Sequence, residues 1–268
     1  MKQKEVWLYI LALLCLNPIF GQSQILPVLK KDFLNSLQVG LGLGNKILDN
    51  SKKEAGILLA LGGLSFLDES TNQFFQRNHS SLNDALFRID RIYGEKNILI
   101  PTSALIYGMG LVSKNLALRK VGLKSTQAIF YSGFIAVCIK ELIGRTRPYQ
   151  QMGPYRFRPL SFKERWRSFP SGHATIAFAF STIMAEAVSN VFWQSFWYSG
   201  AFLVSAGRMY HNAHWFTDML AGSLIGWSVA KYVWQYPNDA STQKQVNLWP
   251  DFSIFPHPAA SLNLRFNF

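Results

Sequence analysis

The sequence predicts an all-α protein, a bundle of about six helices embedded in a membrane. Composition is the first reason: 49% of the 268 residues are apolar and 15% aromatic, while 16% are charged, low against a usual value near 25%. The second is a series of apolar segments of helical length, at 55–67, 98–112, 126–143, 173–192, 196–207 and 216–234. The third is what divides them: prolines, glycines and basic clusters, with strict alternation confined to the end, Ser261–Phe268.

In chain order, residues 1–21 read as a signal peptide. Lys2 and Lys4 form its positive end, Val6–Leu16 its apolar core, and Gly21 is a small residue for cleavage. Cys15 leaves with it, so Cys138 alone remains, no internal disulfide is possible, and Cys138 is expected to be a buried apolar residue. Residues 22–54 form an amphipathic segment (Leu26, Val28, Leu29, then Phe33, Leu34, Leu37), expected to break at Gly40–Gly44. The central helical domain spans 55–236. Within it, a polar run reaches Asp90, Pro101 sits near the first turn of its helix, and Lys114–Lys124 reads as a basic connector. The loop Pro148–Phe169 is long enough to suggest function rather than linkage. In the last helix, Gly222 and Gly226, with Ala221 and Ser223, offer a small-residue face for close packing. Residues 237–268 are a polar tail whose alternating end suits a strand or an extended segment.

The chemistry concentrates in three places. Around Arg167-Ser-Phe-Pro-Ser-Gly-His173, Pro170 stops the preceding segment and Ser171 is a good N-cap. The N–H groups of Ser171, Gly172 and His173 then lie at a helix N-terminus, where an anion is stabilised and a histidine can protonate a leaving oxygen. An ordinary capped helix with a histidine in its first turn reads the same way from this stretch alone. Upstream, Lys140 and Arg147 are seven apart, which on one helix face is two turns. Downstream, Arg208 precedes His214, and Asp218 follows it by four, so in a helix the carboxylate would hold the imidazole in one tautomer. Two histidines, a carboxylate and three cations suit phosphoryl transfer, which needs charge neutralisation, a nucleophile and an acid for the leaving group.

Lys140-x6-Arg147-Pro148, Pro170-Ser171-Gly172-His173 and Arg208-x5-His214-x3-Asp218 resemble, in order, the three signature motifs of the type 2 phosphatidic acid phosphatase superfamily. That superfamily includes membrane lipid phosphatases, soluble acid phosphatases and vanadium haloperoxidases. The resemblance implies its helical layout from about Leu64 to Trp234, and a phosphatase that needs no metal or other cofactor. It implies that His214 attacks phosphorus, Asp218 orients it, and His173 protonates the leaving alcohol and then activates water. Lys140, Arg147, Arg208, Ser171 and Gly172 would bind the phosphate. Gly207 departs from the pattern, which usually has serine before the arginine. His79, His211 and His257 lack partners at useful spacing, with His211 the best placed to support the site.

The formal charge of +12 invites a nucleic-acid reading, but eight Lys/Arg and two Glu lie between Lys140 and Arg167, so half of the net charge sits beside the site. That suits a phosphorylated lipid or small phosphoester as substrate, with membrane lipids as surroundings and no nucleic acid. With four crossings between Ile98 and Trp234, the site-bearing ends share one side and Lys114–Lys124 the other. A protein of the bacterial cell envelope with its site on the periplasmic face follows from this. Trp166, Phe169, Trp215 and Phe216 would line an apolar leaving group or pack the core. The alternatives are a soluble periplasmic acid phosphatase and a vanadium-dependent haloperoxidase.

Overall fold

The computed structural model describes residues 25–237; the signal segment, residues 238–268 of the tail and His257 lie outside the described residues. Among the described residues the protein is all-α. Its helices are α1 (Ile25–Asp49), α2 (Ser51–Leu64), α3 (Leu67–Arg77), α4 (Ser81–Phe87), α5 (Lys96–Val112), α6 (Leu116–Ile143), α7 (Gly172–Ala187), α8 (Val191–Tyr210) and α9 (Phe216–Gln235). The class matches the expectation; the extra helices come from the amino-terminal half, where the polar run 68–90 folds into α3, α4 and a 3-10 turn at Arg88–Arg91.

α7 is the centre. It is almost continuously apolar or small, and it packs against α6, α8 and α9, with α5 closing on α6. Phe180 and Ile183 of α7 join Leu99, Ile129, Val229 and Val233 in the main core. The approach of α9 depends on glycine: a Cβ on Gly222 would stand 2.4 Å from the Ser171 carbonyl oxygen, and one on Gly226 2.2 Å from that of Thr175. α9 therefore rests on the backbone of the first turns of α7.

Three expectations are corrected here. The glycines at 40–44 do not break α1, and two of them serve contact rather than turning: a Cβ on Gly40 would come within 2.9 Å of the Tyr131 ring, and one on Gly42 within 2.4 Å of the Tyr232 hydroxyl. The basic stretch 114–124 is no connector. Asn115 caps α6, its side chain accepting from the N–H groups of Ala117 and Leu118. Lys124 is buried in that helix, donating to the carbonyls of Val233 (2.7 Å) and Tyr236 (2.9 Å), where it closes the carboxyl end of α9. Cys138 is exposed, on an outward face of α6 shared with Phe134 and Val137. Among the described residues, α6 is the helix long and apolar enough to cross a membrane by length and composition.

Candidate active site

The carboxyl end of α6 delivers the first motif, and not as one helix face. Gly144 ends the helix in the left-handed conformation (φ 63°), so Lys140 lies on the helix and Arg147 on the extended chain beyond it. A Cβ at Gly144 would also lie 2.0 Å from the Arg158 carbonyl oxygen. The long loop is fastened back on this segment: Thr146 N–H donates to Arg156 (3.0 Å), Arg158 N–H to Gly144 (2.7 Å), Arg147 N–H to Arg165 (3.1 Å) and Ser168 N–H to Arg145 (3.0 Å). Lys140 reaches across with its Nζ to the carbonyls of Arg167 and Pro170, both at 2.7 Å, and so ties the approach to α7.

Ser171 is the N-cap of α7, its hydroxyl accepting from Ala174 N–H at 3.5 Å. Its own N–H is used, donating to the Asp218 carbonyl oxygen at 2.9 Å. Gly172 opens the helix, and a Cβ there would meet nothing within 4 Å. His173 follows in the first turn, its Nε2 at 3.1 Å from a Glu95 carboxylate oxygen.

His214 and Asp218 are brought together differently from the helical spacing read in the sequence. α9 starts only at Phe216, so His214 lies in the turn before it. Asp218 folds back over the helix start instead: its Oδ2 accepts from Trp215 N–H at 2.9 Å and from Ser168 Oγ at 2.5 Å. The same oxygen faces His214 Nδ1 at 3.6 Å, and that nitrogen is buried without a hydrogen-bond partner. With Nδ1 turned to the carboxylate, Nε2 is the nitrogen left for chemistry. Burial holds the His214 pKa well below the usual 6.5, and the fields of Arg147, Lys140, Arg208 and His173 push it the same way. The imidazole is therefore neutral at pH 7. Those four groups come from motifs far apart in sequence, and the fold gathers them around one ring.

Each cation already has protein partners. Arg147 pairs with Glu164 and donates to the Ala213 carbonyl at 3.3 Å. Arg208 Nη1 lies 3.3 Å from Asp90 Oδ2, while its Nε is buried and unpaired. His211 and His79 do have partners, contrary to the sequence reading. His211 Nδ1 is 3.0 Å from the same Asp90 oxygen, and His79 stacks on Tyr210 with ring centroids 4.1 Å apart. Gly207 makes room for this arrangement, since a Cβ there would lie 3.0 Å from the Asp90 Cβ. Of the aromatic residues near the motifs, Phe169 and Trp215 are buried: Phe169 packs with Leu61 and Ala221, and Trp215 Nε1 donates to Thr146 at 2.8 Å. Among the described residues no group of three or more His, Cys, Asp or Glu side chains is placed to hold a metal ion.

Sequence reasoning missed the carboxylates from 68–95, because no spacing pattern links them to the motifs. It also passed over Arg145, visible within the first motif but with nothing to signal its burial. Arg145 is 4% exposed and spans Asp68 and Asp218, with Nη2 at 2.5 Å from the first and Nη1 at 2.8 Å from the second.

The fold and this pocket define a helical-bundle protein with a buried histidine–carboxylate pair beside clustered cations. Residues 122–241, a little under half of the chain, match the model of the PAP2 superfamily. Among similar proteins are a lipid A 1-phosphatase of Rhizobium johnstonii, 29% identical over 154 residues, covering 50% of this chain and 59% of that protein. An undecaprenyl-diphosphatase of Sulfolobus acidocaldarius is 30% identical over 138 residues, covering 50% of this chain and 61% of the other. The chain thus spans about three fifths of the length of these relatives. Two crystal structures share the fold, each at 23% identity and a TM-score of 0.50. They are Aquifex aeolicus LpxE (63% of this chain, 96% of that one) and a transmembrane PAP2 type phosphatidylglycerolphosphate phosphatase from Bacillus subtilis (75% and 92%).

Proposed function

We propose that this protein is a phosphatase that hydrolyses the phosphate monoester or diphosphate of a lipid, through a phosphohistidine and without a metal ion. The observation that carries the reading is His214: a buried, neutral imidazole turned by Nδ1 toward Asp218, with Lys140, Arg147, Arg208 and His173 acting on it from three other parts of the chain.

In this reading residues 55–236 form the phosphatase domain. The phosphate enters between Arg147 and Arg208 and the open end of α7, where Gly172 N–H, the Ser171 hydroxyl and the helix terminus add to the cradle. Lys140 contributes charge from behind, since its Nζ already binds two carbonyls. His214 Nε2 attacks phosphorus, and the bond to the leaving oxygen breaks as His173 gives that oxygen its proton. Asp218 takes the hydrogen bond of the Nδ1–H as the ring becomes cationic. His173, now neutral, removes a proton from water, whose oxygen attacks phosphorus and releases phosphate and free His214. Burial and then the field of Arg208 lower the His173 pKa to about 4, and Glu95, beside its Nε2, opposes them; in this reading the charge of the bound phosphate joins Glu95 in favouring the protonated form before the first step.

A lipid substrate is supported by the names of the relatives and by the surface. α6 presents Phe130, Phe134, Val137 and Leu142 outward, and α1 presents Leu26, Phe33, Leu37 and Leu41. We read these faces as bilayer contacts, in a protein of the cell envelope with its site at the periplasmic surface. The test is phosphate release with EDTA present, comparing a polyprenyl diphosphate, a phosphatidate and a soluble aryl phosphate, with His214→Ala alongside. Release that survives chelation and disappears in the variant is the expected result. Equal release by the variant would refute the histidine mechanism, and preference for the aryl phosphate would refute the lipid assignment.

A further inference from the structure

The completely buried carboxylate of Asp68, at the start of α3, lies outside the segment that matches the family model and outside the three motifs. Its two oxygens are fully occupied. Oδ1 accepts from Thr217 N–H at 2.8 Å, and Oδ2 accepts from Thr217 Oγ1 at 2.8 Å and Arg145 Nη2 at 2.5 Å. Arg145 also donates to Asp218 Oδ1 (2.8 Å), Thr217 Oγ1 (2.8 Å) and the Pro154 carbonyl (2.8 Å), so that all three of its nitrogens are engaged. A planar guanidinium with every arm engaged fixes the plane of the carboxylate it holds. That carboxylate is the one facing His214.

Charge gives the arrangement a second consequence. A buried Arg145–Asp218 pair by itself is neutral, and would cancel much of the negative field that His214 needs as its ring turns cationic. Adding Asp68 leaves two carboxylates on one guanidinium, a net single negative charge on the inner side of His214. The opposing groups are Lys140 of α6, Arg147 beyond it, His173 of α7 and Arg208 of α8.

We infer that Asp68, acting through Arg145, is a positioning residue that holds Asp218 in plane and keeps it effectively anionic toward His214. This rests on the phosphohistidine reading above. The substitution Asp68→Asn keeps the shape of the side chain and removes its charge. The decisive measurement is rapid-quench formation of alkali-stable phosphohistidine, using a polyprenyl diphosphate labelled in its terminal phosphate, for detergent-solubilised wild type and variant. We expect D68N to reach the same labelling stoichiometry about ten to a hundred times more slowly, the scale of a small misplacement of reacting groups, with KM within about threefold. The acid limb of its rate should also move to lower pH, because losing a negative charge disfavours the imidazolium. Wild-type rate and limb would overturn the inference. So would lower stoichiometry at an unchanged rate per labelled molecule, the mark of a merely structural residue.

Should D68N fail to fold, Arg145→Lys keeps a cation but cannot fork between two carboxylates, and the same slow labelling is expected. Wild-type labelling kinetics in R145K would overturn the inference. Failure of wild type to label at His214 would defeat the phosphohistidine reading itself and the inference with it; labelling of wild type with normal kinetics in the variants would defeat the inference alone.

Discussion

The pocket has two halves built on opposite terms. On the inner half, Arg145, Asp68, Thr217, Ser168 and Asp218 are buried, and each hydrogen-bonds at least one other member. On the outer half the partners are loose. Glu164, which engages Arg147, has a side chain 66% exposed on the long loop. Arg208 lies 3.3 Å from Asp90, leaving its Nε and one oxygen of Asp90 buried and unpaired. Buried polar groups are nearly always satisfied, so the unpaired Arg208 Nε fits the proposal that an anion binds on this side. The inner half is fixed and costly to disturb, and in the proposed reading the outer half exchanges its partners for an anion.

Substitutions can break that contrast. The largest effect belongs to the group between the halves: His214→Ala should lower kcat at least about 10³-fold in a phosphate-release assay, since it removes the proposed nucleophile. Arg145→Ala should have the largest effect on stability, besides the slowed turnover expected of R145K. It strands two buried carboxylates, at a cost of about 3–5 kcal/mol, measurable as a lower unfolding midpoint in detergent. Arg208→Ala should cut kcat/KM about 10²-fold while moving the midpoint little, because its ties to the protein are few. The smallest effect is expected for Glu164→Gln. Freeing Arg147 from an exposed carboxylate should tighten inorganic phosphate as an inhibitor by no more than about fivefold, consistent with the weakness of exposed ion pairs. If R145A and R208A proved alike in both stability and kinetics, the division into fixed and exchangeable halves would fail.

The cations and the His214–Asp218 pair were legible in the sequence, and the buried groups that hold them, Arg145, Asp68 and Asp90, were not, for a physical reason. Lys140, Arg147, Ser171, Arg208 and His214 announce themselves because cations, caps and histidines stand out at the ends of apolar segments. Asp68 and Asp90 sit in a polar stretch that reads as solvated surface, and only the tertiary fold, by setting α3 against α8 and α9 and the 3-10 turn at Arg88–Arg91 against α8, shows that both are fully buried. Spacing misled twice near the site. The seven residues from Lys140 to Arg147 fit two helical turns, yet Gly144 ends the helix between them. The four residues from His214 to Asp218 fit one turn, yet Asp218 caps the helix that His214 precedes. Helix periodicity reports which residues share a face only where the helix continues. By contrast, the small residues of α9 were informative, because only glycine at 222 and 226 permits the observed contact with α7.

The most direct test is to trap the phosphoenzyme. Protein incubated with a terminally labelled polyprenyl diphosphate in EDTA, quenched in alkaline detergent and mapped by peptide mass, should carry acid-labile phosphate on His214. Asp218→Asn should retain that site while labelling more slowly. Turnover in wild type with no trapped phosphate, or label that persists in His214→Ala, would contradict the account.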